Sequence, residues 1–235
     1  IKNISRHTAV RNLIAIQTAQ QVAREFSKHK IPLFALKGLA LLLGDVYKHS
    51  NTRAMNDIDL YTNEQYHKKA LKILMSAGWI ASKSNTNAHS VTLTRPDVPI
   101  KLDLHSRPLW FQLTPKIISN IEKDAEVVSL KKSPIWIMKP EFQLLHALVH
   151  GARGGVNDYS SNTSTGAPHL RWIIDAHYII KNRKLNWKHF LNRVKILEVG
   201  IQVKHALELL EREFKIAIPS FVMVELENMP KTRTQ

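Results

Sequence analysis

The run of residues 57–60, Asp-Ile-Asp-Leu, constrains the fold more than any other feature, because it combines strand-like alternation with two neighbouring acids. In an extended strand, residues two apart project from the same face, so Asp57 and Asp59 are expected to hold their carboxylates close together. Like charges at that distance are costly unless a cation lies between them. A third acid, Asp103, occurs in a second alternating run at 100–105. Together the three acids predict a carboxylate site for magnesium or manganese and hence chemistry on a nucleoside triphosphate.

Lys37 and Gly38 follow a short apolar run and precede the acidic strand. We read them as the turn from a strand into a helix. A glycine at such a turn lets the backbone approach a phosphate, and the free N–H groups at the start of the helix attract anions. The pair is not a Walker loop, which needs glycines and a Lys-Ser/Thr pair at fixed offsets. Read alone, it also fits an ordinary tight turn with a surface lysine.

The pattern of apolar residues changes near residue 139, and this predicts an α+β fold in two parts. Residues 1–138 are expected to form a mixed β-sheet flanked by helices, and residues 139–235 a C-terminal helical bundle. The predicted strands are 33–36, 57–61, 89–94, 100–105, 127–130 and 135–137. The predicted helices are 5–28, 39–47, 64–77, 115–122, 141–151, 169–181, 187–194 and 202–214, with a low-complexity loop at 154–167.

Composition narrows the class of partner. The chain of 235 residues has 34 Lys and Arg against 19 Asp and Glu, a net charge of +15. This charge favours anionic partners, although it also fits simple solubility. Because the basic residues are spread along the chain, a phosphate-bearing ligand ranks above DNA. The absence of cysteine excludes disulfides, thiolate metal sites and a cysteine nucleophile, and it agrees with a cytoplasmic location.

No apolar run approaches the roughly 18 residues that a membrane-spanning helix needs, so we predict no membrane span. The chain begins at Ile1 rather than at methionine. Whether residues precede it, a signal peptide included, is left open.

The motifs in order, Leu36-Lys37-Gly38, Arg53 with the acids at 57–60, and the run 102–105, resemble the bacterial uncharacterised nucleotidyltransferase family of the polymerase-β-like superfamily. The resemblance spans residues 10–215 and implies a nucleotidyltransferase fold with a two-metal site. It implies that Asp57 and Asp59 hold both metals, or one metal and the triphosphate. Asp103 is then the third ligand and a base toward the acceptor. The chain departs from the superfamily in having Lys37-Gly38 where Gly-Ser is usual, and in a longer interval before the acids.

The resemblance further implies an enzyme that moves a nucleoside monophosphate, AMP from ATP, to an unidentified acceptor with release of pyrophosphate. Lys37 and Arg53 are candidates for neutralising the triphosphate beside Gly38, although Arg53 also fits an ion pair with Asp57 or Asp59 in the metal-free state. The acceptor is open among a small hydroxylated molecule, a protein side chain and an RNA end, including tRNA as in a toxin-like transferase. The alternative is a non-catalytic basic protein of the same fold that binds nucleotides or nucleic acid.

The roles of three histidines each allow two interpretations. His146 and His150 are one helical turn apart, the spacing of a zinc-binding pair, but no glutamate follows His146 and further ligands are not readable. The alternative to a zinc site is that His146 and His150 belong to a polar cluster. His105 shares the predicted face of Asp103, where it either reaches the site or only caps the strand.

Overall fold

The structure is a computed structural model that describes residues 2–49, 51–82, 89–131, 133–152 and 170–230. The helices in these ranges are α1 (Lys2–Lys28), α2 (Lys37–Leu43), α3 (Glu64–Ser76), α4 (Pro115–Lys123), α5 (Pro140–Ala152), α6 (Arg171–Asn182), α7 (Trp187–Ile196), α8 (Gly200–Phe214) and α9 (Ser220–Glu227). The strands are β1 (Phe34–Ala35), β2 (Asp57–Tyr61), β3 (Ile80–Ala81), β4 (Ser90–Arg95), β5 (Val98–His105), β6 (Glu126–Leu130) and β7 (Ser133–Ile137).

The described strands form one mixed sheet in the order β3-β4-β5-β2-β1-β7-β6. The pairs β2–β5 and β1–β7 are parallel, and the other neighbours are antiparallel. The predicted α+β class, a mixed sheet flanked by helices and followed by a helical region, is confirmed. Strand β3 and helix α9 were not predicted. The predicted loop at 154–167 and the predicted helix start at 169 lie outside the described residues.

The chain divides into two compact units, Ile1–Lys139 and Pro140–Gln235. In the first unit, α1 packs against β2, β5, β7 and α3. The buried residues of α1 follow helical spacing. On β2 and β5, the apolar residues that face this helix alternate with polar residues. The buried apolar residues of this core include Ala15, Ala19, Val22, Phe26, Ile58, Leu60, Leu102 and Leu104. The acidic positions of β2 and β5 therefore fall on the opposite face of the sheet.

In the second unit, α5 packs against α6, α7 and α8, and α9 packs against α7 and α8. The buried Glu141 accepts a hydrogen bond from the backbone N–H of Asn186 at 2.6 Å, and the Asn186 side chain in turn caps α7. These polar contacts fix the start of α7 in the bundle. Within the described ranges, no helix combines the length and the apolar character that a bilayer crossing requires.

Candidate active site

The central strand pair brings the three predicted acids to one face of the sheet. Strands β2 and β5 are parallel, and their register places Asp59 directly beside Asp103. Asp57 lies two residues earlier on β2 and so projects from the same face. Asp59 is buried, whereas Asp57 and Asp103 are half-buried. The sequence of β2 alone predicts that Asp57 and Asp59 share a face. The pairing of β2 with β5 adds Asp103 to them, and no local sequence pattern encodes that pairing.

Asp59 is held by two basic side chains that share one of its oxygens. The ammonium Nζ of Lys37 lies 2.6 Å from Oδ1, and the imidazole Nε2 of His105 donates to the same oxygen at 2.9 Å. Burial acts to raise the pKa of Asp59, but the His105 hydrogen bond and the charge of Lys37 outweigh it and hold that pKa well below its ordinary value. Asp59 is therefore ionised, and Lys37 supplies a positive charge where the predicted metal would supply one.

The turn that follows β1 aims Lys37, the first residue of α2, at the acid. The N–H of Leu36 donates to the carbonyl of Asp59 at 3.0 Å, which ties the end of β1 to β2. Lys37 then adopts a positive φ of 45°, a conformation that is strained for a residue with a Cβ. The surrounding contacts must sustain this strain, and the ion pair with Asp59 is one of them.

Gly38 is required because Arg53 packs on its backbone. A Cβ at Gly38 would lie 2.0 Å from Nη1 and 2.7 Å from Cζ of Arg53, both far inside contact distance. Arg53 is only 8% exposed, so the guanidinium has little room to move away. In this structure the close approach that glycine permits is made by Arg53. The predicted roles of Gly38 and Arg53 toward a triphosphate remain predictions.

Asn12 fixes the segment that leads into β2, and the sequence analysis missed it. This fully buried residue of α1 donates to the carbonyl of Arg53 at 2.7 Å and accepts from the backbone N–H of Met55 at 3.2 Å. Its amide thus satisfies two backbone groups of a segment that has few ladder partners. The signal was present, because Asn12 lies three and seven residues before the buried Ala15 and Ala19, on the buried stripe of the helix.

Strands β4 and β5 also supply polar groups to this face. The hydroxyl of Thr92 donates to Oδ1 of Asp103 at 2.6 Å, across the antiparallel β4–β5 pair. His105, at the end of β5, is 4% exposed and contacts Asp59, so it is more than a cap of the strand. Its ring also lies 5.3 Å from that of His89. These contacts orient the carboxylates before any ligand binds.

In the described parts of the chain, no group of three or more histidine, aspartate or glutamate side chains is arranged closely enough to hold a metal ion. The donor chemistry nevertheless suits magnesium, which prefers carboxylate oxygens and keeps water and phosphate in its remaining positions. Asp57, Asp59 and Asp103 offer such oxygens from one sheet face. The chemical types of these side chains therefore suit a magnesium ion. In this structure the ammonium group of Lys37 neutralises Asp59.

The histidine pair of α5 belongs to the second unit. The rings of His146 and His150 meet edge to face with centroids 6.0 Å apart, and His146 also lies 6.3 Å from the ring of Phe142. The described residues bring no third ligand to this pair. This geometry is that of an aromatic contact within a helix.

The family described as "Uncharacterised nucleotidyltransferase" matches residues 1–215, which confirms the resemblance read from the motifs. A comparison with curated proteins gave no match.

Solved structures share the fold. An antigenic nucleotidyltransferase-like protein from Paracoccidioides brasiliensis superposes with a TM-score of 0.53 at 13% identity, over 93% of this chain and 94% of that one. The antibiotic-resistance factor ANT(2″)-Ia gives a TM-score of 0.51 at 12% identity in its solution structure, over 85% of this chain and 97% of that one. Its complex with adenylyl-2″-tobramycin gives 0.52 at 13% identity, over 78% and 97%. At these identities the likeness shows the fold.

Proposed function

The chain belongs to the uncharacterised nucleotidyltransferase family, a family of transferases, and from this premise we propose that it catalyses magnesium-dependent transfer of AMP from ATP to a hydroxyl group of an acceptor, with release of pyrophosphate. The observation that supports this proposal most directly is the parallel register of β2 and β5. It groups Asp57, Asp59 and Asp103 on one face of the sheet. Three carboxylates on one sheet face offer the oxygen ligands that magnesium prefers, beside the contacts that Asp59 makes with Lys37 and His105.

The reaction forms a bond between the acceptor oxygen and the α-phosphorus of ATP and breaks the bond from that phosphorus to the bridging oxygen of pyrophosphate. Asp103 takes the proton of the acceptor hydroxyl, and pyrophosphate leaves in line with the attacking oxygen. Magnesium, when bound, lowers the pKa of the acceptor hydroxyl and stabilises charge on the leaving group. Asp57 and Asp59 would hold it, with Asp103 as the third ligand.

The basic residues of the site have positioning and charge roles in this scheme. His105 keeps the Asp59 carboxylate oriented through its 2.9 Å hydrogen bond. Lys37, which is partly exposed, supplies positive charge for the oxygens of the departing pyrophosphate. Arg53 adds charge beside Gly38 and holds the turn between β1 and α2 in shape. ATP as the donor is supported by the ANT(2″)-Ia complex, whose bound ligand is an adenylylated molecule.

A second candidate is a non-catalytic protein that binds nucleotides or nucleic acid through its basic charge. The ion pair between Lys37 and Asp59 favours it, since this contact already neutralises the most buried acid without a metal. The two candidates differ in their need for a metal. Catalysis requires magnesium, whereas binding through basic side chains is weakened by salt and unaffected by EDTA.

The deciding experiment is transfer of label from α-labelled ATP to a component of a cell extract. We expect a labelled product with magnesium and none with EDTA. Asp57→Asn, Asp59→Asn and Asp103→Asn should each lower the rate at least about 100-fold while the circular dichroism spectrum is retained. Asp97→Asn is the matched control, because Asp97 is an exposed acid paired with Arg95 at the β4–β5 turn. Full activity in the three site variants would refute the proposal, and label transfer in EDTA would refute its metal requirement.

A further inference from the structure

The ion pair between Lys37 and Asp59 joins a movable cation to a fixed anion. Asp59 is held by its place in β2, by the pairing of β2 with β5, and by the hydrogen bond from His105 at 2.9 Å. Its side chain is only 5% exposed, whereas that of Lys37 is 25% exposed and begins helix α2. Because a lysine side chain is a flexible stem of four carbons, Lys37 can turn away while Asp59 stays in place.

This cation lies at the carboxylate on which the proposed metal site is centred. The Nζ atom of Lys37 is 2.6 Å from Oδ1 of Asp59, and Asp59 shares its face of the sheet with Asp57 and Asp103. A divalent ion bound by Asp59 would lie beside the ammonium group. Like charges in a buried site repel one another strongly, because salt screens them little there. Lys37 and a divalent metal ion therefore compete for Asp59.

A nucleoside triphosphate changes the outcome of this competition. Its phosphate oxygens accept charge-assisted hydrogen bonds from an ammonium group, and they are also preferred ligands of magnesium. If metal enters alone, Lys37 loses its anionic partner. If nucleotide enters alone and draws Lys37 away, the buried carboxylate of Asp59 loses its cation, which is costly. Only when both enter together does each charged side chain keep a partner of opposite sign.

We propose that Lys37 excludes divalent metal from Asp59 in the nucleotide-free protein, and that it moves to the nucleotide phosphates when metal and nucleotide bind together. This exchange of cations rests on the nucleotidyl transfer proposed above and deepens it, because it makes metal binding depend on the nucleotide. His105 keeps its hydrogen bond to Asp59 throughout, so the carboxylate stays oriented while its cation changes.

The first test measures binding of Mn²⁺ to the full chain without nucleotide, by the loss of the paramagnetic resonance signal of the free ion. Mn²⁺ suits the same carboxylate ligands as magnesium. We expect weak binding by the wild type and at least about 10-fold tighter binding by Lys37→Met. Lys37→Gln should bind as tightly and replaces Lys37→Met if that variant does not fold. Equal affinity in the wild type and the neutral variants overturns the exchange.

Two controls separate the local charge from other effects. Lys37→Arg keeps the charge beside Asp59 and should bind Mn²⁺ as weakly as the wild type does. Lys28→Met removes the same net charge at an exposed lysine that pairs with Glu25, and it should also match the wild type. If Lys37→Arg or Lys28→Met gains as much affinity as Lys37→Met, the charge at position 37 is not the cause, and the exchange is overturned.

A second substitution in the Lys37→Met chain locates the bound ion. Asp59→Asn should remove the gain in Mn²⁺ affinity, because an amide is a poorer ligand than a carboxylate. Asp97→Asn, which changes an exposed acid paired with Arg95, should leave the gain in place. A gain that survives Asp59→Asn assigns the ion to other ligands and overturns the exchange.

The second test offers the same chains the Mn²⁺ complex of α,β-methylene-ATP, a triphosphate analogue that cannot release pyrophosphate. Lys37→Met should lose its advantage here and bind the complex no more tightly than the wild type, because only the wild type gains a contact between Lys37 and the phosphates. An advantage of about 10-fold that persists with the analogue means that Lys37 only repels the metal. That result overturns its move to the phosphates.

Neither titration depends on catalysis, so failure of the exchange and failure of the proposed function are distinguishable. If Lys37→Met gains no Mn²⁺ affinity while the wild type transfers label from ATP, the exchange is overturned and nucleotidyl transfer stands. If both titrations give the expected results and no label is transferred, the exchange stands and the non-catalytic candidate gains support. If the wild type does not bind the analogue complex, the exchange is overturned, and the label assay decides nucleotidyl transfer alone.

Discussion

Replacing Lys37 with methionine removes the cation that lies 2.6 Å from Oδ1 of Asp59. The side chain of Asp59 is 5% exposed and that of Lys37 is 25% exposed, so the carboxylate cannot turn to water for compensation. Methionine keeps much of the apolar stem of lysine, which confines the change to the charge. We expect the variant to fold and to be clearly less stable than the wild type when no metal is present.

The size of the effect follows from the contact. At 2.6 Å, Coulomb's law with an effective dielectric constant of about 20 gives a gross attraction of about 6 kcal/mol. Desolvation of both groups consumes part of it, and breaking a buried pair typically costs about 3–5 kcal/mol. We expect Lys37→Met to lower the free energy of unfolding by about 3 kcal/mol, at the low end of this range. Lys37 is partly exposed, and His105 keeps its hydrogen bond to Asp59. For a chain of this size, that loss lowers the melting temperature by about 6–12 °C.

The assay is thermal unfolding in EDTA and in magnesium chloride. In EDTA, Lys37→Met should melt about 6–12 °C below the wild type. Magnesium should raise its melting temperature more than that of the wild type, because the metal no longer competes with an ammonium group for Asp59. Lys28→Met is the matched control: Lys28 forms an exposed pair with Glu25, and such pairs contribute little. If Lys37→Met and Lys28→Met melt together in EDTA, Lys37 is not the counter-ion of Asp59, and the reasoning fails.

Two further predictions concern the segments that shape the site. Gly38→Ala should lower the free energy of unfolding by about 1–3 kcal/mol, because the new Cβ would overlap the buried guanidinium of Arg53. Arg53→Ala in the same chain should recover about 1 kcal/mol of this loss in a double-mutant cycle by urea unfolding, and strict additivity would argue against the steric cause. Asn12→Ala should cost about 2–3 kcal/mol, because it leaves the carbonyl of Arg53 and the N–H of Met55 buried and unsatisfied. Asn51→Ala, which removes an exposed amide, serves as the control, and an equal cost for both variants would contradict this role for Asn12.

The fold class and the acidic face could be predicted because both rest on local periodicity. Alternation fixes which residues of β2 and β5 face the core, so Ile58 and Leu60 are buried and the acids lie opposite. Strand β3 escaped prediction because it has two residues and depends on its pairing with β4. Helix α9 escaped it because its apolar residues do not keep to one face, and Phe221 and Val224 are 45% and 59% exposed.

The sequence by itself determined that Asp57 and Asp59 share a face, since neighbours two apart in a strand have no alternative. Only the tertiary structure decided what surrounds them. The register of β2 and β5 sets Asp103 beside Asp59, and the turn after β1 brings Lys37 to the same oxygen as His105. These partners are 22 to 46 residues from Asp59 along the chain. Their meeting depends on strand pairing and packing across the whole unit, which a local pattern of residues does not encode.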